Sequence, residues 1–362
     1  MSTIECRKIT KRFGDFVAVK DVDLSVRAGE VVCLLGPSGC GKTTTLRMIA
    51  GLERATAGDI VIAGKRMNEL PPEKRDIAMV FQFYALYPAL TVGQNIAMPL
   101  HYEKLDKTEQ NARVRKVADI LHLTEVLDRM PGQVSEGEKQ RIAVARAIVR
   151  DPNCFLFDEP LSRLDVELRQ TMRGQIKEVL TGLSKATVIV THDQLEALTM
   201  ANRIAIMKDG LIEQIGTPHE VFAKPANLFV ASFIGTPQMN LIPATLKSAD
   251  GGKGRFMVGS DEIGLKVDGA ASRLKSGQLT IGIRPRALLP VSDNVPDTLG
   301  AAVELVEPMG AETLIHARGA EGQDLRMVVP REKRFKIGEK VRLACDPTQT
   351  HIFDSNGQAV RA

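Results

Sequence analysis

Gly36-Pro37-Ser38-Gly39-Cys40-Gly41-Lys42-Thr43 decides how this chain is read. The stretch matches G-x-x-x-x-G-K-[ST] and stands where that motif has to stand. It follows Val31–Leu35, which reads as a buried strand, and opens a stretch over about 42–52 that reads as a helix. The residue types suit a polyphosphate. Glycines let the backbone wrap the anion, and successive N–H groups together with a helix N-terminus point at its oxygens. Lys42 offers a cation to the β/γ oxygens and the Thr43 hydroxyl a ligand to Mg²⁺, with Thr44 beside them in the first turn. Average composition gives this pattern by chance in roughly one per cent of such chains, before the strand–helix context is required.

Farther along, Cys154-Phe155-Leu156-Phe157-Asp158-Glu159-Pro160 is an apolar strand ending in two acids. In a parallel α/β sheet ligands sit at the carboxyl ends of strands, so Asp158 is placed to hold Mg²⁺ and Glu159 to polarise an attacking water. Alone, such a strand is usually just a strand meeting solvent. Paired with the phosphate loop, it is the second half of a nucleotide hydrolase.

The surrounding pattern fits an α/β fold up to about residue 235. Helices are predicted over about 109–123, where Val114, Val117, Ala118 and Leu121 share one face, and over about 136–150 and 165–183. A strand is predicted over 187–190. Asp106 with Glu109, and Ser135 with Glu138, have the spacing of capping boxes. After Thr236 the character changes. Thr236-Pro237 and Pro243 mark a linker, and six short β-like runs follow (263–267, 280–283, 301–306, 313–316, 326–329 and 341–344), which suggest a small barrel. The expected division is therefore 1–235, with a helical subdomain over about 88–150, and 236–362.

Composition bounds the alternatives. The 362 residues are 44% hydrophobic and 25% charged, as in ordinary globular chains, and suffice for two or three domains. Lys and Arg number 48 against 44 Asp and Glu, and the resulting +4 is too slight to argue for nucleic acid. No apolar run approaches the roughly 18–20 residues of a membrane span, and the N-terminus lacks the apolar core of a secretion signal. A soluble protein made in the cytoplasm is expected. The five cysteines are scattered without a C-x-x-C, which argues against disulfides or zinc, and Cys33 and Cys154 lie in apolar runs as small core residues.

The order of Gly36–Thr43, Val80-Phe81-Gln82, Val134–Arg141, Leu156–Pro160, Ser162–Asp165 and Thr191-His192-Asp193 resembles an ATP-binding cassette over essentially the whole chain. The resemblance implies a homodimer arranged head to tail, with each ATP between one subunit's phosphate loop and the other's signature loop. Phe233–Asn240 and Gly282-Ile283-Arg284-Pro285 resemble the ATPase subunits of carbohydrate importers, that for maltose among them. That likeness implies a phosphate-loop NTPase domain followed by an all-β, OB-like (TOBE) regulatory domain. It also implies two membrane permease subunits, an extracytoplasmic solute-binding protein, no nucleic acid, and a peripheral place on the cytoplasmic side of the inner membrane.

Roles follow position by position from the resemblance. Phe13 matches the aromatic that stacks on adenine. Gln82 matches the glutamine that contacts Mg²⁺ and the water. Ser135 and Gly137 match the signature, Asp165 the loop crossing the dimer interface, and His192 the switch histidine at the γ-phosphate. Phe83-Tyr84-Ala85-Leu86-Tyr87-Pro88 gathers three of the chain's 12 Phe and 3 Tyr in the stretch that receives a permease helix. Exposed aromatics suit such a docking pocket.

The signature itself departs from Leu-Ser-Gly-Gly-Gln: here it is Val134-Ser135-Glu136-Gly137-Glu138. Two carboxylates where a γ-phosphate should arrive predict repulsion unless they turn away or Lys139 and Arg141 compensate. Arg163 stands where the family has Asn and is expected to pair with an introduced acid, Glu136 in particular. These changes support a second reading, a regulatory nucleotide switch with weak turnover; a third, a non-transport cassette ATPase, would need a second cassette or a basic surface.

Overall fold

The computed structural model describes residues 2–103, 105–250, 252–267 and 277–360. The chain forms two compact units, Met1–Pro218 and His219–Ala362. This division falls earlier than the expected 235/236 border, for a local reason. Asn227 bridges to Gln358, and the Leu228 N–H donates to the Gly357 carbonyl at 2.8 Å, so the segment before Thr236 is bonded into the second unit.

The first unit runs β1 (Ser2–Phe13), β2 (Phe16–Arg27), β3 (Val31–Leu35), α1 (Lys42–Ala50), β4 (Ala57–Ile62), β5 (Lys65–Arg66), β6 (Ile77–Val80), α2 (Val92–Ala97), α3 (Lys107–Ile120), α4 (Glu136–Ile148), β7 (Cys154–Asp158), α5 (Val166–Gly182), β8 (Ala186–Thr191), α6 (Gln194–Met200), β9 (Arg203–Lys208) and β10 (Leu211–Gly216). Its main sheet has the order β10-β9-β3-β8-β7-β6, parallel except for the β9–β10 pair. Strands β3, β7 and β8 are buried at every residue, which is why they read as unbroken apolar runs rather than alternating ones. The functional loops leave the carboxyl ends of these strands.

A second sheet, β2-β1-β4-β5, is antiparallel and shares its core with the first through Ile4, Ile9, Val19, Leu34, Leu46, Leu156 and Val188. The long β1–β2 hairpin was not expected. Its register shifts between Cys6 and Ile9, and Lys8 and Asp21 take positive φ, so the apolar alternation is broken. Helices α2, α3 and α4 all lie between β6 and β7, within the expected helical stretch of about 88–150. Ser135 closes a complete capping box with Glu138. Asp106 caps α3 alone, because Glu109 pairs with Arg113 at 3.1 Å instead of reaching back.

The second unit continues through α7 (Pro218–Ala223), α8 (Leu228–Phe233), β11 (Asn240–Asp250), β12 (Lys253–Val258), β13 (Asp261–Lys266), β14 (Gln278–Ile283), β15 (Leu288–Val291), β16 (Thr298–Pro308), β17 (Glu312–Gly319), β18 (Asp324–Pro330), β19 (Lys340–Cys345) and β20 (Thr350–Phe353). Two antiparallel sheets, β13-β12-β11-β14-β20 and β15-β19-β16-β17-β18, enclose one core that includes Phe256, Ile281, Ile315 and Leu343. The six predicted strands are present, four more accompany them among the described residues, and the supposed linker residue Pro243 lies inside β11. There it pairs with Thr280 of β14, while β12 joins β11 only from Thr245 onward, so the missing N–H faces no ladder.

Candidate functional site

The phosphate loop is shaped by what lies behind it. A side chain at Gly36 would place its Cβ 2.2 Å from the Met207 carbonyl oxygen, and one at Gly41 2.5 Å from that of Ala18, where φ is also +102°. Only glycine fits either position. Cys40 is buried behind the loop, while Pro37, Ser38 and Gly39 face outward. Lys42 is buried, and its Nζ donates to the carbonyls of Gly36 and Pro37, both at 2.8 Å. The loop thus holds its own cation at its centre, and a triphosphate would exchange those carbonyls for phosphate oxygens.

Thr43 and Asp158, 115 residues apart in sequence, meet where α1 begins and β7 ends: the Thr43 hydroxyl donates to Asp158 Oδ1 at 3.1 Å. Burial pushes the Asp158 carboxyl above the ordinary range, opposed by that hydrogen bond and by Arg47. A buried carboxylate beside a hydroxyl suits a hard cation. No cluster of three His, Cys, Asp or Glu able to hold a metal exists among the described residues.

Glu159, the residue after β7, takes φ +48°. One oxygen lies 3.2 Å from His192 Nδ1, and the other accepts from Gln82 Nε2 at 3.2 Å. Three segments that are remote in sequence therefore converge on one carboxylate. Ser162, the first residue of the Ser162–Asp165 motif, belongs here too. Its hydroxyl donates to the Glu159 carbonyl at 3.0 Å and lies 3.5 Å from Gln82 Nε2.

Phe13 is 48% exposed at the β1–β2 turn, opposite Phe16. The other residues named from the resemblance make local contacts. Asp165 caps α5 through the Leu168 N–H at 2.9 Å. Gly137 makes room for the same Leu168, whose Cδ2 would lie 2.9 Å from an added Cβ. Ser135 donates from its N–H and its hydroxyl to Glu138 Oε2 at 2.7 and 2.8 Å.

The two signature acids are accounted for differently than the sequence suggested. Glu138 folds back onto Ser135, whose backbone N–H is the main cause that draws its carboxyl below the usual range. Glu136 pairs with Lys139 at 2.7 Å, and that hydrogen bond chiefly lowers its carboxyl, Arg163 contributing least. The expected Glu136–Arg163 pair does not form. The Arg163 guanidinium instead lies 3.8 Å from the centroid of the Phe83 ring.

The aromatic stretch is held by polar pins. Arg146 donates to the carbonyls of Tyr84 and Ala85, and the buried Asn95 bonds both the N–H and the carbonyl of Tyr87. Phe81, Phe83 and Tyr87 remain exposed, and Phe83, Tyr84, Pro131, Lys139 and Arg163 border a cleft of about 380 Å³. Cys33 and Cys154 are buried as expected, and burial pushes the Cys154 thiol up to about 12.

Fold and site together define a phosphate-loop ATPase. The ABC transporter family's sequence profile matches residues 19–162, and that of the TOBE domain residues 281–353. The alpha-glucoside transport ATP-binding protein AglK of Rhizobium meliloti (strain 1021) is 44% identical over 364 residues, covering 100% of both chains. The sulfoquinovosyl glycerol transport ATP-binding protein SmoE of Agrobacterium fabrum (strain C58 / ATCC 33970) is 42% identical over 98% of both. A solved dimeric, post-hydrolysis structure of the ATP-binding cassette MJ0796 bound to ADP and Pi superposes with a TM-score of 0.53 at 31% identity, over 59% of this chain and 98% of that one. This chain belongs to the ABC transporter family and is an ATPase subunit with a C-terminal TOBE domain. No helix among the described residues is long and apolar enough to cross a membrane.

Proposed function

We propose that this chain is the energy-coupling subunit of an importer for a sugar, a polyol or a sugar derivative. The convergence of Gln82, Glu159 and His192 beside the Lys42–Thr43–Asp158 cluster carries the reading. The names of the relatives, alpha-glucoside and sulfoquinovosyl glycerol transport proteins, support the substrate class.

In this reading Phe13 stacks on adenine, and the N–H groups of residues 36–44 with Lys42 bind the phosphates. Thr43, Asp158 and Gln82 would hold Mg²⁺, which when bound neutralises phosphate charge. Glu159 accepts the proton of the attacking water, and Gln82 and His192 fix the carboxylate from either side. Ser135, Gly137 and Asp165 act across a homodimer interface, and residues 83–88 of each copy receive a helix from one of two permease subunits at the cytoplasmic face of the membrane. A solute-binding protein delivers the cargo outside. Closing the ATP sandwich would move the docked helices and hydrolysis would reset them. The 236–362 portion then serves as the regulatory domain.

Glu159→Gln tests the reading. The variant should bind ATP with Mg²⁺, lose hydrolysis and accumulate as an ATP-loaded dimer in size-exclusion runs. Absence of magnesium-dependent ATP affinity, or of pairing when loaded, would overturn it. The regulatory-switch alternative predicts instead that wild type and Glu159→Gln behave alike.

A further inference from the structure

Lys11 has no part in the site as described, yet its surroundings are those of a built support. Its side chain is only 12% exposed, and its Nζ lies 4.7 Å from the centroid of the Phe13 ring. Two further groups hold that ammonium: Glu53 Oε2 at 2.9 Å and the Arg54 carbonyl at 2.9 Å. Both belong to the loop that follows α1, whose C-cap is Gly51. Around them the loop is stitched to β1, since Thr56 N–H donates to the Thr10 carbonyl at 2.7 Å and Arg12 N–H to the Thr56 hydroxyl at 3.0 Å. The first turn of α1 carries Lys42 and Thr43. One short helix, about 13 Å long, therefore spans from the phosphate loop to the residues that pin Lys11.

We propose that Lys11 is a positioning residue for the nucleobase: held by Glu53 and Arg54, it fixes the Phe13 ring as a stacking platform for the adenine of ATP. The inference rests on the reading that adenine stacks on Phe13. The cation binds the electron-rich face of the ring and is itself immobilised, so the half-exposed ring is oriented before any base arrives. The remaining ring surface is then free for a purine. A neutral side chain at position 11 would leave Phe13 to rotate at an open hairpin turn.

The test measures magnesium-dependent affinity of the full chain for ATP and, separately, for inorganic triphosphate, which has no base. Lys11→Met should weaken ATP binding about three- to tenfold and leave triphosphate binding unchanged. Lys11→Arg, which keeps the cation, should restore ATP binding to near wild type. If Lys11→Met lowers both affinities, Lys11 supports the fold rather than the base and the proposal fails. If Phe13→Ala weakens ATP binding while Lys11→Met does not, the platform needs no support and the proposal fails alone. If Phe13→Ala itself leaves ATP binding unchanged, adenine is not on that ring and the underlying reading falls with it.

Discussion

His192 Nδ1 stands 3.2 Å from Glu159 Oε1, and Gln82 holds the other oxygen of the same carboxylate. Groups joined this way act as a unit, so their losses should not add. Glu159→Gln and His192→Ala are each expected to lower single-turnover ATP hydrolysis by about 10²-fold or more, and the double variant by little more than the worse single one. Additive losses would show that His192 works independently of Glu159.

Asp158 predicts a pH effect of opposite sign to the usual carboxylate. Burial raises its pKa in the folded protein, whereas the unfolded chain loses the proton near about 3.9. Between those two values the native state binds more protons, so stability falls as pH rises through the window and the cost persists at neutral pH. Asp158→Asn removes the charge while its amide oxygen can still accept from Thr43. Without metal, the thermal midpoint at pH 7 should rise by about 1–4 °C, and ATP hydrolysis should disappear. A lower midpoint would mean that the carboxylate stabilises the fold.

The altered signature gives a prediction that separates its two acids. Glu136 is neutralised by Lys139, so Glu136→Gly should change ATP-driven dimerisation little. Glu138 occupies both the N–H and the hydroxyl of Ser135, and Glu138→Gln keeps the capping geometry while removing the charge. ATP-driven dimerisation of that variant should strengthen about three- to tenfold. Because the Glu138 pKa is lowered, its contribution to α4 is present above the ordinary glutamate range and is lost as pH falls through the depressed value. If Glu136→Gly has the larger effect, the pairing with Lys139 does not persist in the loaded dimer.

Arg163 should couple to Phe83 and not to Glu136. A double-mutant cycle on urea stability should give about 0.5–1 kcal/mol for Arg163 with Phe83 and close to zero for Arg163 with Glu136. A charge-reversed Glu136/Arg163 pair that rescues ATPase activity would contradict the stacking geometry.

The second unit contains a comparable anchor. Arg284 is buried, donates to the carbonyls of Ile234 and Phe222, and lies 4.1 Å from the centroid of the Phe222 ring. Gly235, at φ +108°, leaves space for it, as an added Cβ would stand 2.7 Å from Nη1. Arg284→Ala should cost about 2–4 kcal/mol in urea unfolding of that unit, and Gly235→Ala should also destabilise it. Unchanged midpoints would show the contact to be dispensable.

The legibility of the chain followed the physics of each element. Strands β3, β7 and β8 are buried on both faces, so 31–35, 154–157 and 187–190 are visible as apolar runs. The phosphate loop was visible because its glycines are needed by the backbone itself. Hairpin β1–β2 was hidden by its bulges, and β11 by Pro243, which reads as a breaker although only one side of the strand is paired there. Asp158 and Glu159 could be placed by their own chemistry, whereas Gln82, Asp165 and His192 had meaning only through the family resemblance. The Arg163–Phe83 stack and the Lys11–Glu53–Arg54 bracket join residues with no regular spacing, and such contacts leave no trace in a linear pattern.

Because Arg284 reaches Ile234 and Phe222, the two short motifs that mark the carbohydrate-importer likeness are halves of a single joint. Anyone dissecting this protein at residue 236 would cut through that joint and strand a guanidinium without its acceptors. A fragment begun at His219 keeps the socket whole, and should be the one that yields a soluble, cooperatively melting C-terminal piece.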